Sequence, residues 1–188
     1  MHEHQNYVSN YQRIAKLITK NYIHRLFTPD CLSVLPELNL RENVRILDVG
    51  CKNGKLIFKL ASFLKSGELH GVDIEPDCIK RNQTQNHYEN VYFHCSPAEN
   101  MPFEDGYFDL IVCTNALHHF PQRVRALDEM YRVSKPEGEL YLLEGIRDQK
   151  WKAKLDKILR QSKFILPEKK YLPRTAIFSK SYFIHYVK

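Results

Sequence analysis

The sequence predicts an α/β fold: a three-layer α/β/α sandwich around a mostly parallel sheet whose last strand is antiparallel. Three observations carry this. Short apolar runs (44–49, 68–73, 91–95, 106–114 and 140–144), the first of them rich in β-branched residues, alternate with stretches of helical spacing. The first run passes through Gly50 and Gly54 straight into Leu56, Ile57, Leu60, Ala61 and Leu64 at three- and four-residue steps. The second run closes on an acid, Asp73, 19 positions after Gly54, near the ~20 that separates a ligand-binding glycine turn from a ribose-binding carboxylate.

In chain order, Tyr7, Tyr11, Ile14, Leu17, Ile18, Tyr22 and Leu26 recur with helical period and predict an amphipathic helix over 5–27. Asp30 can cap a second helix running to Leu38, which Pro36 shortens. Val44–Val49 is the first strand. The glycine turn after it lets a ligand approach the backbone, and the start of the next helix offers N–H groups to an anion. A dinucleotide fingerprint wants glycines at offsets 0, 2 and 5. From Gly50 those later places hold Lys52 and Lys55, so that fingerprint fails. What stands there is Asp48-x-Gly50-x-x-x-Gly54.

Glu75, Pro76 and Asp77 read as the first turn of a helix reaching about Gln85, where acids suit the dipole. Val91–Cys95 is the third strand, followed by Ser96-Pro-Ala-Glu-Asn-Met-Pro-Phe103. Gly106–Thr114 is a fourth, central strand with Asn115-Ala-Leu-His-His-Phe120 at its carboxyl end, the edge where open α/β sheets bind ligands. Leu127, Met130 and Val133 line a helix ending before Lys135-Pro-Glu-Gly138, expected to be a turn. Leu140–Glu144 is the fifth strand. A basic helix over 151–161 follows, and Lys163–Leu166 and Tyr182–Val187 are expected as the last two strands.

Taken together, Asp48-x-Gly50-x-x-x-Gly54, Asp73, the segment 96–103, Phe108-Asp109 with Leu117-His118-His119, and Lys135-Pro-Glu-Gly138 resemble the class I S-adenosylmethionine-dependent methyltransferases, in particular the quinone-biosynthesis-like members. The resemblance covers residues 44–144 and implies a Rossmann-like class I methyltransferase fold. It implies S-adenosyl-L-methionine as cofactor, S-adenosyl-L-homocysteine as product and a small-molecule methyl acceptor. The implied cofactor contacts are Asp48, Gly50, Cys51, Lys52, Asn53 and Gly54 in the first loop and Asp73 on the ribose. Ile74, Pro97, Ala98, Glu99 and Met101 fall around the adenine, with Asn115 and Leu117 opposite. Three places depart from the family's pattern, one of them Glu137, which holds the third place of the family's usual Lys-Pro-Gly-Gly turn. Lys52 stands where a glycine is usual, and Pro97 replaces the acid that grips the adenine amino group.

Relatives cover cofactor and substrate with N-terminal helices, which makes Tyr7 and Tyr11, together with His118, candidate substrate contacts. His118, His119 and Glu144 are the candidate catalytic groups, against packing for the histidines and a solvated loop acid for Glu144. No metal is expected, because adjacent histidines on a turn point apart and no acidic cluster accompanies them.

At 188 residues the chain suits one domain: a helical cap over 1–40, a cofactor-binding core over 41–146, and a basic helix with strands over 147–188. No apolar run approaches a membrane span, and the polar start does not read as a signal peptide. Five scattered cysteines without a Cys-x-x-Cys pair suggest reduced thiols and a cytoplasmic setting. The net charge of +6 is unevenly placed: residues 147–188 hold 12 Lys+Arg against 3 Asp+Glu. That basic segment motivates a rival reading as a methyltransferase for RNA or another polyanion. Lys52 and Pro97 motivate another, a binding-only relative. No pattern in the chain fixes an oligomeric state.

Overall fold

In the computed structural model, which describes residues 31–146, 148–164 and 180–188, the strands are β1 (Arg45–Val49), β2 (Glu68–Asp73), β3 (Val91–Cys95), β4 (Phe108–Thr114), β5 (Ser134–Ile146) and β6 (Lys180–Val187). The α-helices are α1 (Lys55–Ala61), α2 (Pro76–Gln85), α3 (Arg123–Val133) and α4 (Gln149–Gln161), and 3-10 turns occupy Cys31–Glu37 and Leu117–His119. All strands join one sheet in the order β3-β2-β1-β4-β5-β6, and β6 alone runs antiparallel to its neighbour. The chain leaves β1 toward β2 and β3, then returns to pair β4 on the other side of β1. That reversal opens a crevice at the carboxyl ends of β1 and β4.

Alternation along the strands divides the core between the two faces of the sheet. Ile46, Leu69, Leu110, Val112 and Leu143 pack with α1 and with Leu32, Leu35 and Leu38. Leu47, Val49, Ile111, Cys113 and Leu142 pack with Leu127 and Met130 of α3 and Leu155 and Leu159 of α4. β1 and β4 are buried on both faces, which is why they read as unbroken apolar runs.

Several expectations change. The helix foreseen from Asp30 is a 3-10 turn, Cys31–Glu37, with Pro36 inside it, because proline has no N–H for an α-helical ladder. Leu32, Val34, Leu35, Leu38 and Leu40 are all buried in the core, so this part of the foreseen cap packs against the sheet. The helix over 5–27, and with it Tyr7 and Tyr11, lies outside the described residues. The Lys135–Gly138 turn is instead an irregularity within β5, where the register with β4 shifts between Phe108 and Leu110. Glu137 there adopts φ 62, and its N–H reaches the Lys188 carbonyl at 3.1 Å.

Lys163 and Phe164, expected to open a strand, form a bend after α4. Phe164 is buried against Tyr131 and Tyr186. Its apolar signal came from burial, not from sheet pairing. Residues 165 and 166 lie outside the described residues.

Candidate functional site

The crevice wall on the β1 side is a loop held by β2. The N–H groups of Gly50 and Cys51 both donate to the Val72 carbonyl, at 2.8 and 3.0 Å. Gly50 has φ +80, and a Cβ there would stand 2.5 Å from the Ala116 Cβ, so glycine is what lets the two ends of the crevice close up. Lys52, at φ 46, keeps a glycine-like backbone without a glycine. Its N–H donates to Asp73 Oδ2 at 2.8 Å, while Glu75 N–H donates to Oδ1 at 3.1 Å. Each Asp73 oxygen thus takes one backbone N–H and retains a second acceptor direction. Asn82 of α2, fully buried, donates its Nδ2 to the Lys52 carbonyl at 2.8 Å and holds the loop from below.

Asp48 lies under the same loop. It is 3% exposed, and its Oδ1 is buried without a hydrogen-bond partner. Burial, and then the charge of Asp73, push its pKa up to about 7. A buried orphan acceptor, beneath glycines whose Cβ would clash, is what a cradle for a donor-bearing ligand provides. The expected cofactor fits these residues.

The opposite wall comes from β4 and β5. Asn115 turns the chain at φ 51. Its Oδ1 accepts from Gly145 N–H at 3.0 Å and its own N–H donates to the Leu143 carbonyl at 2.7 Å, so it clamps the two strand ends together. Glu144 is wholly buried, not a solvated loop acid. Its Oε1 accepts from Leu117 N–H at 2.8 Å, and its Oε2 lies 2.8 Å from His118 Nδ1. Burial raises the Glu144 pKa, and the His118 contact works against that rise. Arg123 donates to the His118 carbonyl at 2.7 Å and lies 5.7 Å from the centre of the Trp151 ring, which meets His118 edge-on at 6.2 Å.

Other expected site residues take different places. Cys51 turns its side chain into the core, where burial pushes its thiol pKa up. Met101 is core as well, and its N–H donates to Glu129. Glu99 accepts from the Gln122 N–H at 3.0 Å, which is the start of α3, where an acid satisfies an end-group donor. Ala98 is buried, while Ile74 is 59% exposed at the rim below Asp73. Pro97 offers its carbonyl to Asn100 N–H, and Asn53 is exposed at the loop tip. His118 and His119 do not point apart: the 3-10 turn brings their ring centroids to 3.9 Å, with His119 the exposed one. Among the described residues no cluster of three metal-ligating groups occurs.

Sequence reasoning missed Asn82, Arg123 and Trp151. Only Asn82 carried a signal. It falls three residues after Ile79, on the inward face of α2, where a polar side chain needs a partner.

Residues 40–175 match a family model described as a methyltransferase domain. The chain is 31% identical over 140 residues to a demethylmenaquinone methyltransferase of Lactiplantibacillus plantarum, covering 72% of this chain and 57% of that protein. It is 34% identical over 130 residues to the ubiquinone/menaquinone biosynthesis C-methyltransferase UbiE of Pectobacterium carotovorum, covering 65% and 49%. The chain thus spans about half the length of these curated relatives. A crystal structure of a SAM-dependent methyltransferase from Aquifex aeolicus superposes with a TM-score of 0.70 at 20% identity, covering 94% of this chain and 98% of that one, and so supports the fold.

Proposed function

Since the chain belongs to the class I S-adenosylmethionine-dependent methyltransferase family, whose cofactor is S-adenosyl-L-methionine, we propose that it methylates a small aromatic acceptor of the quinol class at a ring carbon. The observation that carries this reading is the His118–Glu144 pair at the wall facing the Asp73 loop. The names of the relatives supply the acceptor class.

When bound, the cofactor supplies a methyl group already activated by the sulfonium charge. Asp73 would accept the ribose hydroxyls on its remaining acceptor directions, and Asp48 would take a donor of the methionine end. The chief demand on the protein is then to hold an acceptor in line. A ring carbon attacks well only when a hydroxyl proton is lost, which calls for a base. Glu144 against Nδ1 fixes the neutral His118 ring with its proton on Nδ1 and makes Nε2 the basic nitrogen. With the donor bound, Nε2 of His118 would take the acceptor's hydroxyl proton, the ring carbon would gain the methyl group as the donor's C–S bond breaks, and the ring proton would pass to water, which restores aromaticity.

The test is calorimetry followed by turnover. Titration with S-adenosyl-L-methionine should give 1:1 binding. With a reduced demethylated naphthoquinone as acceptor, His118→Ala should lower kcat by about 10²–10⁴-fold while cofactor affinity stays the same. No binding would reject the family's chemistry for this chain. Turnover undiminished in His118→Ala would reject the base.

A further inference from the structure

Of the cations on helix α4, Lys152 lies half-buried away from the others, and three of the rest share one side. Leu155, Ile158 and Leu159 face the core, while Lys150, Lys154 and Lys157 are exposed at i, i+4 and i+7, on a single outward stripe. Arg160, in the last turn of the helix, and Lys163, just past its end, are also exposed. None of these side chains has a carboxylate within ion-pair distance among the described residues.

The arrangement opposes helix stability twice. Like charges three and four residues apart repel, and Lys150 sits in the first turn, where the dipole disfavours a cation and where the one nearby acid, the N-cap Asp148, is engaged by the Trp151 N–H at 2.7 Å. A surface of opposite charge would relieve both. The stripe is also placed against the acceptor side of the site. Trp151, on the same first turn, meets His118 edge-on, and Arg123 bridges the two.

We propose that this face of α4 docks the protein on an anionic phospholipid bilayer, with the His118 wall at the lip next to the membrane. The choice of lipid over nucleic acid rests on the quinol reading above, since such acceptors are lipid-soluble. It rests also on the stripe itself, which has no aromatic side chain on which bases could stack. The apolar face of α4 is spent in the core, so the contact is electrostatic and peripheral: reversible, and weakened as salt shortens the Debye length from about 10 Å at 0.1 M.

Co-sedimentation of the full chain with vesicles of phosphatidylcholine, with and without phosphatidylglycerol, tests this without reference to activity. The wild type should bind the anionic vesicles only, and release them at high salt. The triple variant Lys150→Glu, Lys154→Glu, Lys157→Glu should bind at least about tenfold more weakly, with unchanged cofactor affinity and a thermal midpoint no lower than wild type. Equal binding to neutral vesicles, or wild-type vesicle binding by the triple variant, would overturn the proposal. So would tighter binding to a single-stranded RNA oligomer than to the vesicles, which would assign the stripe to nucleic acid. Docking without methyl transfer would leave the membrane assignment standing and reject the acceptor; transfer without docking would do the reverse.

Discussion

Asp48 holds an acid where the fold by itself has no use for a charge. Its pKa of about 7 lies above the ordinary 3.8, so the folded state binds the proton more tightly than the unfolded chain does. Stability therefore falls as pH rises from about 4 to 7 and stays low above that. Three units correspond to a cost of order 4 kcal/mol at pH 8. Asp48→Asn should raise the thermal midpoint at pH 8 and change it little at pH 4. The same substitution should weaken S-adenosyl-L-methionine binding. If the ionised carboxylate is the form that takes the cofactor's donor, wild-type affinity should climb between pH 5 and 8, a slope the variant lacks. Calorimetry at three pH values reads both effects.

Glu137 and Lys52 make a second case at this scale. Both sit at left-handed φ, 62 and 46, where a side chain costs about 1–2 kcal/mol. Glu137→Gly, remote from the crevice, should stabilise the protein by about 1 kcal/mol, or roughly 2–4 °C in the midpoint. No gain would mean that Glu137 is compensated elsewhere. Both departures from the family's glycines were legible as departures. That the backbone keeps the glycine conformation at each was not, because φ is set by the loop's other hydrogen bonds: Lys52 between Asp73 and Asn82, Glu137 against Lys188.

At the scale of elements, the segment between β3 and β4 crosses 96–107 without an α-helix, and Arg132 of α3 does the holding. Its guanidinium donates to the carbonyls of Met101 and Phe103 and pairs with Glu129 and Asp105. Replacing it takes a donor from two carbonyls and leaves the Glu129 carboxylate with only the Met101 N–H among the described residues. Arg132→Ala should cost about 1–3 kcal/mol, and Arg132→Lys, with a point charge in place of a planar fork, should recover only part of that. Denaturant unfolding of the two variants compares them. If Arg132→Lys behaves as wild type, charge alone holds the segment.

β1, β2 and β4 were legible as short apolar runs buried on both faces, and β3, α1 and α2 by a periodic buried face. The segment 96–103 was legible only as a motif, and what anchors it comes from Arg132, an ordinary surface-type residue some thirty positions on. Of the site, Asp73 and the glycine turn could be read from spacing. The Glu144–His118 contact could not, since it joins residues 26 apart across two strand ends whose register no local pattern specifies.

For the molecule as a whole, the remaining titrating groups act at the acid end. His70 is buried on β2, with Nδ1 3.0 Å from His94 Nε2 and Nε2 3.2 Å from Glu68 Oε2. Tyr107 donates to the same Glu68 oxygen, and Phe103, Tyr107 and Phe108 meet the His70 ring edge-on. Burial lowers the pKa of both histidines, and for His94 the neighbouring His70 lowers it further. One nitrogen of the His70–His94 contact must accept, so protonating both rings breaks it. In the unfolded chain both histidines take up protons near pH 6.5. At these two sites the unfolded state then binds more protons, and their contribution to stability is lost as pH falls below that value. A second loss follows at lower pH: Asp109, Glu129 and Glu139 have depressed pKa values in the fold, so their contribution disappears as pH drops through the carboxylate range. The two limbs separate by mutation. His70→Phe keeps an aromatic ring in that cluster and removes one of the two histidine titrations, so from pH 7 to 5.5 its midpoint should fall less, or rise more, than the wild type's, the opposite contribution of Asp48 being common to both. Below about pH 4.5 both should decline together. Parallel curves over the upper window would place the acid sensitivity outside the His70–His94 pair.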